Sequence, residues 1–382
     1  KLYYLCFFAA IGALAPFFNI FLQGRGLSGT EIGLLGSLAP LIALASNPFW
    51  GGLADRYQIH QKVLVVCVLG AGLLSIPFVW LHGFWPILLL LLPMIFFRAP
   101  VPPLVDSAVM GMLTRNGASY GRQRLFGSIG FLLTSWGLGQ VMAGGDLSLI
   151  FWTHGLLLAV ACTALSFHLP FERQAETHDV SLGRGLRLLA GQRRYLALLM
   201  LAIFVGFGSA CFSNFAGLRL LSLGGDNSQV GLGFALSALT EIPVMFQGAR
   251  LMSRLGTTKL LVVGTAGLAA VHICAGLAPT PALMMVVLGM AGFFSGAYWI
   301  SIVIYANQSA PPYLRATGQS LVGAAQGGVG WAIGGVTAGI LWDQFGGTVV
   351  LLTGGVSLLI GCAIFLLGQR QPPKLEVAEV TP

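Results

Sequence analysis

Charge is what this chain has least of. Of its 382 residues only 12 are acidic and 20 basic, 8% in all, while 56% are hydrophobic and 53 are glycine. Soluble domains carry roughly a quarter charged residues, so an ordinary soluble globular fold is excluded. Cysteine is sparse as well. The six, Cys6, Cys67, Cys162, Cys211, Cys274 and Cys362, sit singly inside apolar stretches without C-x-x-C spacing, which argues against a disulfide framework or a thiolate metal site. No Walker sequence, nucleophile elbow or zincin motif occurs, and no clustered catalytic set is visible. An enzyme is therefore not expected, nor a cofactor, a metal or any catalytic residue. The net charge of +8 is spread over short connections between apolar stretches, so a nucleic-acid partner is not expected either.

What the chain has in abundance is long apolar runs. A membrane crossing needs about 20 apolar residues, and cutting at polar or glycine-rich breaks gives twelve segments: 2–23, 30–53, 62–82, 85–112, 122–144, 148–169, 195–221, 229–252, 259–277, 281–305, 315–342 and 347–368. The expected fold is all-α, spanning a lipid bilayer. The chain opens at Lys1 rather than Met, so a few preceding residues are expected, and no cleavable signal pattern is seen before the first segment.

Lys and Arg accumulate in cytoplasmic loops. With the N-terminus inside, every basic residue except Arg25, Arg98 and Arg219 falls on the cytoplasmic side. Both termini are expected there, in a bacterial inner membrane.

One connection is long and polar. It divides the chain into a six-helix bundle at 1–169, a linker at 170–194, a second six-helix bundle at 195–370 and a tail at 371–382. The two bundles echo each other: Ile32-Gly33-Leu34 matches Val230-Gly231-Leu232, Arg56 matches Arg254, and Tyr120-Gly121-Arg122 matches Tyr313-Leu314-Arg315. Such matches favour a parallel, pseudo-symmetric repeat.

Charges that cannot reach water carry most of the chemistry, because an ionisable side chain at the bilayer centre costs about 2.5 to 3.5 kcal/mol even on the mildest scale. Arg98 lies near the middle of the fourth segment, directly before Ala99-Pro100-Val101-Pro102-Pro103. Prolines remove backbone donors, and a helix break at that depth is tolerated only where it lines a cavity or protein interior. Glu241 lies near the middle of the eighth segment, where the other copy has Ala43.

The Gly51-Gly52-Leu53-Ala54-Asp55-Arg56 stretch resembles the signature loop of the major facilitator superfamily. The resemblance extends to span number, central linker and repeat, although Gln58, Ile59 and His60 stand where the family usually has Gly and two basic residues. The segments from Tyr120 to Gly130 and from Ala310 to Gln319 resemble the phenylpropionate-permease branch, close to lactose permeases and nucleoside/proton symporters. The resemblance implies two bundles that take turns opening a central cavity lined by spans one, four, seven and ten, with spans two, five, eight and eleven at the bundle interface.

On that arrangement Arg98 and Glu241 are expected to face each other, Glu241 carrying the coupling proton and Arg98 anchoring an anionic or polar substrate group; a static ion pair is the alternative. Asn19, Asn214, Tyr298, Trp299 and Gln326 are further candidates for contact with substrate, each with helix packing as its alternative. Asp55, with Arg56, is expected to latch the cytoplasmic gate near Arg315, at the N-terminus of the eleventh span, where the helix dipole favours an anion. Asp106 is expected to pair with Arg122 or Arg124. The isolated His154 and His272 are read as core histidines.

The expected activity is gradient-driven, proton-coupled transport of a small organic solute by a monomer, with aromatic carboxylate, nucleoside and sugar all open. A proton-coupled efflux antiporter and a receptor or scaffold without transport are the competing readings.

Overall fold

A computed structural model describes residues 1–116, 120–171, 191–311 and 314–369. The side chain of Arg122, most of the 170–194 linker and the 371–382 tail lie outside the described residues. Ten helical segments are long and apolar enough to cross a membrane, from Leu2–Gly24 to Thr317–Gln369. The protein is an integral membrane protein, all-helical among the described residues.

Two departures from the expected segments have simple causes. Tyr120–Val141 forms a continuous helix but is too polar to stand among those ten, with Gln123 and Arg124 in its first turns and glycines through its length. The 53-residue stretch Thr317–Gln369 turns at Gly346, whose φ of 76° suits glycine and strains other residues.

Helix starts are written locally. Ser28 caps the Gly29–Tyr57 helix in a reciprocal box with Glu31, and Asp226 does the same with Gln229 for Asn227–Leu255. Pro281 opens the Pro281–Ser309 helix behind the Thr280 cap.

The expected break after Arg98 is smaller than the prolines suggest. Phe84–Arg98 gives way to Val101–Asn116 through Ala99, which stays helical at φ −57° and ψ −41°. Ala99 N still donates to Ile95 O at 2.9 Å, and Leu104 N to Pro100 O at 3.1 Å. Pro102 and Pro103 fall in the first turn of the new helix, where backbone donors lack an intrahelical partner in any case.

Residue 29 and residue 55 lie at opposite ends of one helix and name the two ends of the molecule. At the Gly29 end a single buried core draws on both helix groups, those before residue 172 and those after 190: Phe17, Phe21, Phe78 and Phe151 meet Phe215, Val230 and Leu351. Towards the Asp55 end the core splits. One cluster, with Tyr4, Val68 and Val105, belongs wholly to the earlier group, and another, with Tyr195, Tyr298 and Phe365, wholly to the later one.

Candidate functional site

The cross-group hydrogen bonds among the described residues follow the shared core. Ser37 Oγ donates to Ala332 O at 3.0 Å and Trp331 Nε1 to Gly36 O at 3.2 Å. On the opposite flank Ser135 Oγ reaches Gly231 O and Asn227 Nδ2 reaches Met142 O, both at 3.0 Å. Helices approach here backbone to backbone. A Cβ on Gly33 would collide with the Gly335 carbonyl, and one on Gly231 with the Ser135 carbonyl.

Asn19 and Asn214, expected beside the substrate, belong to this junction. Asn19 Nδ2 donates to Asn214 O at 3.0 Å and to its Oδ1 at 3.3 Å.

The three basic residues left over from the charge count now separate. Arg25 donates to Val79 O at 2.6 Å, contacts His82 and lies over the Phe21 ring. Arg219 reaches the Gly276 and Ala278 carbonyls at 3.4 and 3.5 Å, at the C-terminal end of Thr257–Leu277, where the helix dipole favours a cation. Arg98 has no hydrogen-bond or ion-pair partner among the described residues. His154 is fully buried with both ring nitrogens unpaired. His272 is also a core residue, stacked on Phe212 with ring centroids 4.5 Å apart.

Arg98 and Glu241 are not joined. The stem of Glu241 packs beside Gly296, within the later helix group. Arg124 lies 3.8 Å from Asp106, which accepts a 2.5 Å hydrogen bond from the Tyr4 hydroxyl. Phe8 covers the Arg124 guanidinium at 5.6 Å, and a small cleft opens beside this group of residues. Tyr4 carries no sequence signal of its own, because its partner is 102 residues away.

Tyr298 and Gln326 meet within the later group, the tyrosine hydroxyl donating to Gln326 Oε1 at 2.8 Å. Gln326 sits in Ala324–Gly330, a π-helical segment, and π-turns are frequent at functional sites. Trp299 is half exposed and edge-on to Tyr298.

At the Asp55 end, Asp55 is 65% exposed and pairs with His60 Nε2 at 2.7 Å. Arg56 lies over the Tyr57 ring, and Arg315 has no ion pair among the described residues. The expected meeting of Asp55 with the Arg315 helix start is not made in this conformation.

The model of the MFS_1-like family matches residues 1–352. The chain belongs to that family. This MFS_1-like protein is 27% identical over 368 residues to maltose permease of Geobacillus stearothermophilus, spanning 96% of its own length and 93% of the permease. It is 25% identical over 353 residues to the probable 3-phenylpropionic acid transporter of Escherichia coli (strain K12), 90% of each chain. In fold it is similar to the solved nucleoside transporter NupG, with a TM-score of 0.83 at 16% identity over 97% of this chain and 98% of that one. Its homologues and structural neighbours are transporters, not enzymes.

Proposed function

We propose that the protein is a proton-coupled secondary transporter for a small organic solute carrying an anionic group, working by alternating access. Residues 1–169 and 195–370 act as two pseudo-symmetric six-helix bundles, twelve spans in all once Tyr120–Val141 is counted and Thr317–Gln369 is divided at Gly346. The observation that carries this reading is the asymmetric core: both groups share one core at the Gly29 end and keep separate cores at the Asp55 end. Two bodies hinged in that way have a second arrangement open to them, with the shared end parted and the separate end joined.

On the distribution of Lys and Arg we take the Asp55 end to be cytoplasmic, which makes this conformation an inward-facing one. The membrane is taken to be the bacterial inner membrane, with both termini inside and the protein acting as a monomer.

Arg98 supports an anionic substrate. A guanidinium at mid-depth without a carboxylate partner is expensive, and a bound carboxylate supplies the missing charge. Of the solutes left open, an aromatic carboxylate fits this environment better than a neutral sugar. The probable 3-phenylpropionic acid transporter has such a solute in its name.

Glu241 is the coupling acid, with Arg124 rather than Arg98 as its counter-charge. Arg124 lies 3.8 Å from Asp106 in this conformation, and on this reading it exchanges Asp106 for Glu241 when the Asp55 ends join.

Transport into proteoliposomes tests the reading, with radiolabelled 3-phenylpropionate as the first probe. Glu241→Gln is expected to abolish accumulation driven by a pH gradient while keeping exchange of internal for external solute. Full gradient-driven accumulation by that variant would remove Glu241 from the mechanism.

A further inference from the structure

We infer that Asp343 holds the outer gate shut, its carboxylate clasping the first turn of the Gly29–Tyr57 helix from the opposite bundle. The inference rests on the alternating-access reading. Asp343 Oδ1 accepts from Gly29 N at 2.6 Å, and Oδ2 accepts from Thr30 N at 2.8 Å and from Thr30 Oγ1 at 2.6 Å. The sequence separation is 314 residues for the first of these contacts, so nothing local requires it.

The contact completes a helix start that is otherwise incomplete. The capping box takes up Ser28 N and Glu31 N, leaving Gly29 N and Thr30 N, and these two donors are the ones Asp343 occupies. A carboxylate at that position is favoured by the helix dipole, and its bonds are charge-assisted.

The contact reports on the gate because its halves lie on different bundles. When the shared end parts, Gly29 N and Thr30 N turn to water and the closed arrangement loses its one charged clasp among the described cross-bundle hydrogen bonds. Across the bundles, the corresponding start at Asn227 makes a neutral amide bond to Met142 O. Trp342, the residue before Asp343, stacks on Phe215 with ring centroids 5.1 Å apart.

Glu31 is a built-in control. It is a carboxylate at the same helix terminus, but its partner Ser28 is on its own bundle.

Spin labels placed at Gln23 and Ser222, exposed outer-end positions on the two bundles, read the gate in nanodiscs, with Cys6 and Cys274 replaced by Ser because the other cysteines are buried. Wild type is expected to hold mainly the short distance. Asp343→Ala is expected to raise the long-distance population about ten-fold or more, Asp343→Asn by less, and Asp343→Glu to restore most of the short distance. Glu31→Gln is expected to change nothing. An unshifted distribution in both Asp343→Ala and Asp343→Asn overturns the assignment, as does an equal shift in Glu31→Gln. Gly33→Leu separates the two levels of failure: if it moves the labels while the Asp343 variants do not, alternating access stands and only the clasp falls. If it too leaves them fixed, the alternating-access reading falls with the clasp.

Discussion

The two ends of the molecule are held by different physics. At the Gly29 end, the Asp343 carboxylate apart, the helices touch through backbone, with glycines at 33, 231, 335 and 339 and neutral hydrogen bonds from Ser37, Ser135, Asn227 and Trp331. At the Asp55 end the groups have separate cores, and charged side chains pair within the earlier group, Asp55 with His60 and Asp106 with Arg124. A glycine seam fits or does not fit, because close-packed backbone has no intermediate spacing that keeps its contacts. Charge pairs act over longer distances and can exchange partners. The difference suggests that the seam sets which states exist, while the charged end sets how proton and substrate choose between them.

The largest expected effect follows from filling the seam. Gly33→Leu places a side chain where the Gly335 carbonyl now lies. Overpacking of this kind costs about 1–3 kcal/mol, which is a shift of roughly 5- to 150-fold towards the state with that end parted. Transport should fall by a similar factor, and the Gln23–Ser222 distance should lengthen. A variant that transports normally would mean the close approach is incidental packing.

Arg98 lies between the ends and tests whether its charge serves substrate at all. Arg98→Ala removes charge-assisted hydrogen bonds worth about 1.5–3 kcal/mol, so carboxylate affinity should weaken roughly 10- to 150-fold by equilibrium binding. Arg98→Lys should recover part of the loss, because lysine keeps the charge without the two-pronged geometry. Equal binding of a carboxylate and its amide by the wild type would sink the anion reading.

The sequence made the spans legible because hydropathy is local, and it made the repeat legible through Ile32-Gly33-Leu34 and Val230-Gly231-Leu232. Those two glycines turn out to be matched points of the seam. Partners were less legible. Many of these helices are apolar all round, so periodicity says little about how each is rotated. Asn19 and Asn214 could be named as candidates but not recognised as each other's partners, 195 residues apart. Arg98 and Glu241 look complementary as an isolated pair of buried charges, yet the structure makes no ion pair between them, and Arg124 meets Asp106 instead. Asp343 carries no sequence signal, because a lone acid at the end of an apolar run is usually a solvated loop residue. Only tertiary structure puts a helix start against it.

The smallest expected effect is the most discriminating, because its sign opposes that of Asp343. Asp55 and Asp343 lie at opposite ends of the same helix pair, and each would hold one of the two states: Asp343 the inward-facing arrangement, Asp55 the outward-facing one after it leaves His60 for the Arg315 helix start. Asp55 is 65% exposed, and exposed charge contacts are worth at most about 1 kcal/mol, so Asp55→Asn should move the population no more than about five-fold. The direction is the test. Asp55→Asn should shorten the mean Gln23–Ser222 distance relative to wild type, whereas Asp343→Ala lengthens it, and combining the two should bring the distribution back towards the wild-type position. Shifts of the same sign would mean that both carboxylates merely stabilise the fold, and the contrast between a geometric end and an electrostatic end would lose its functional meaning.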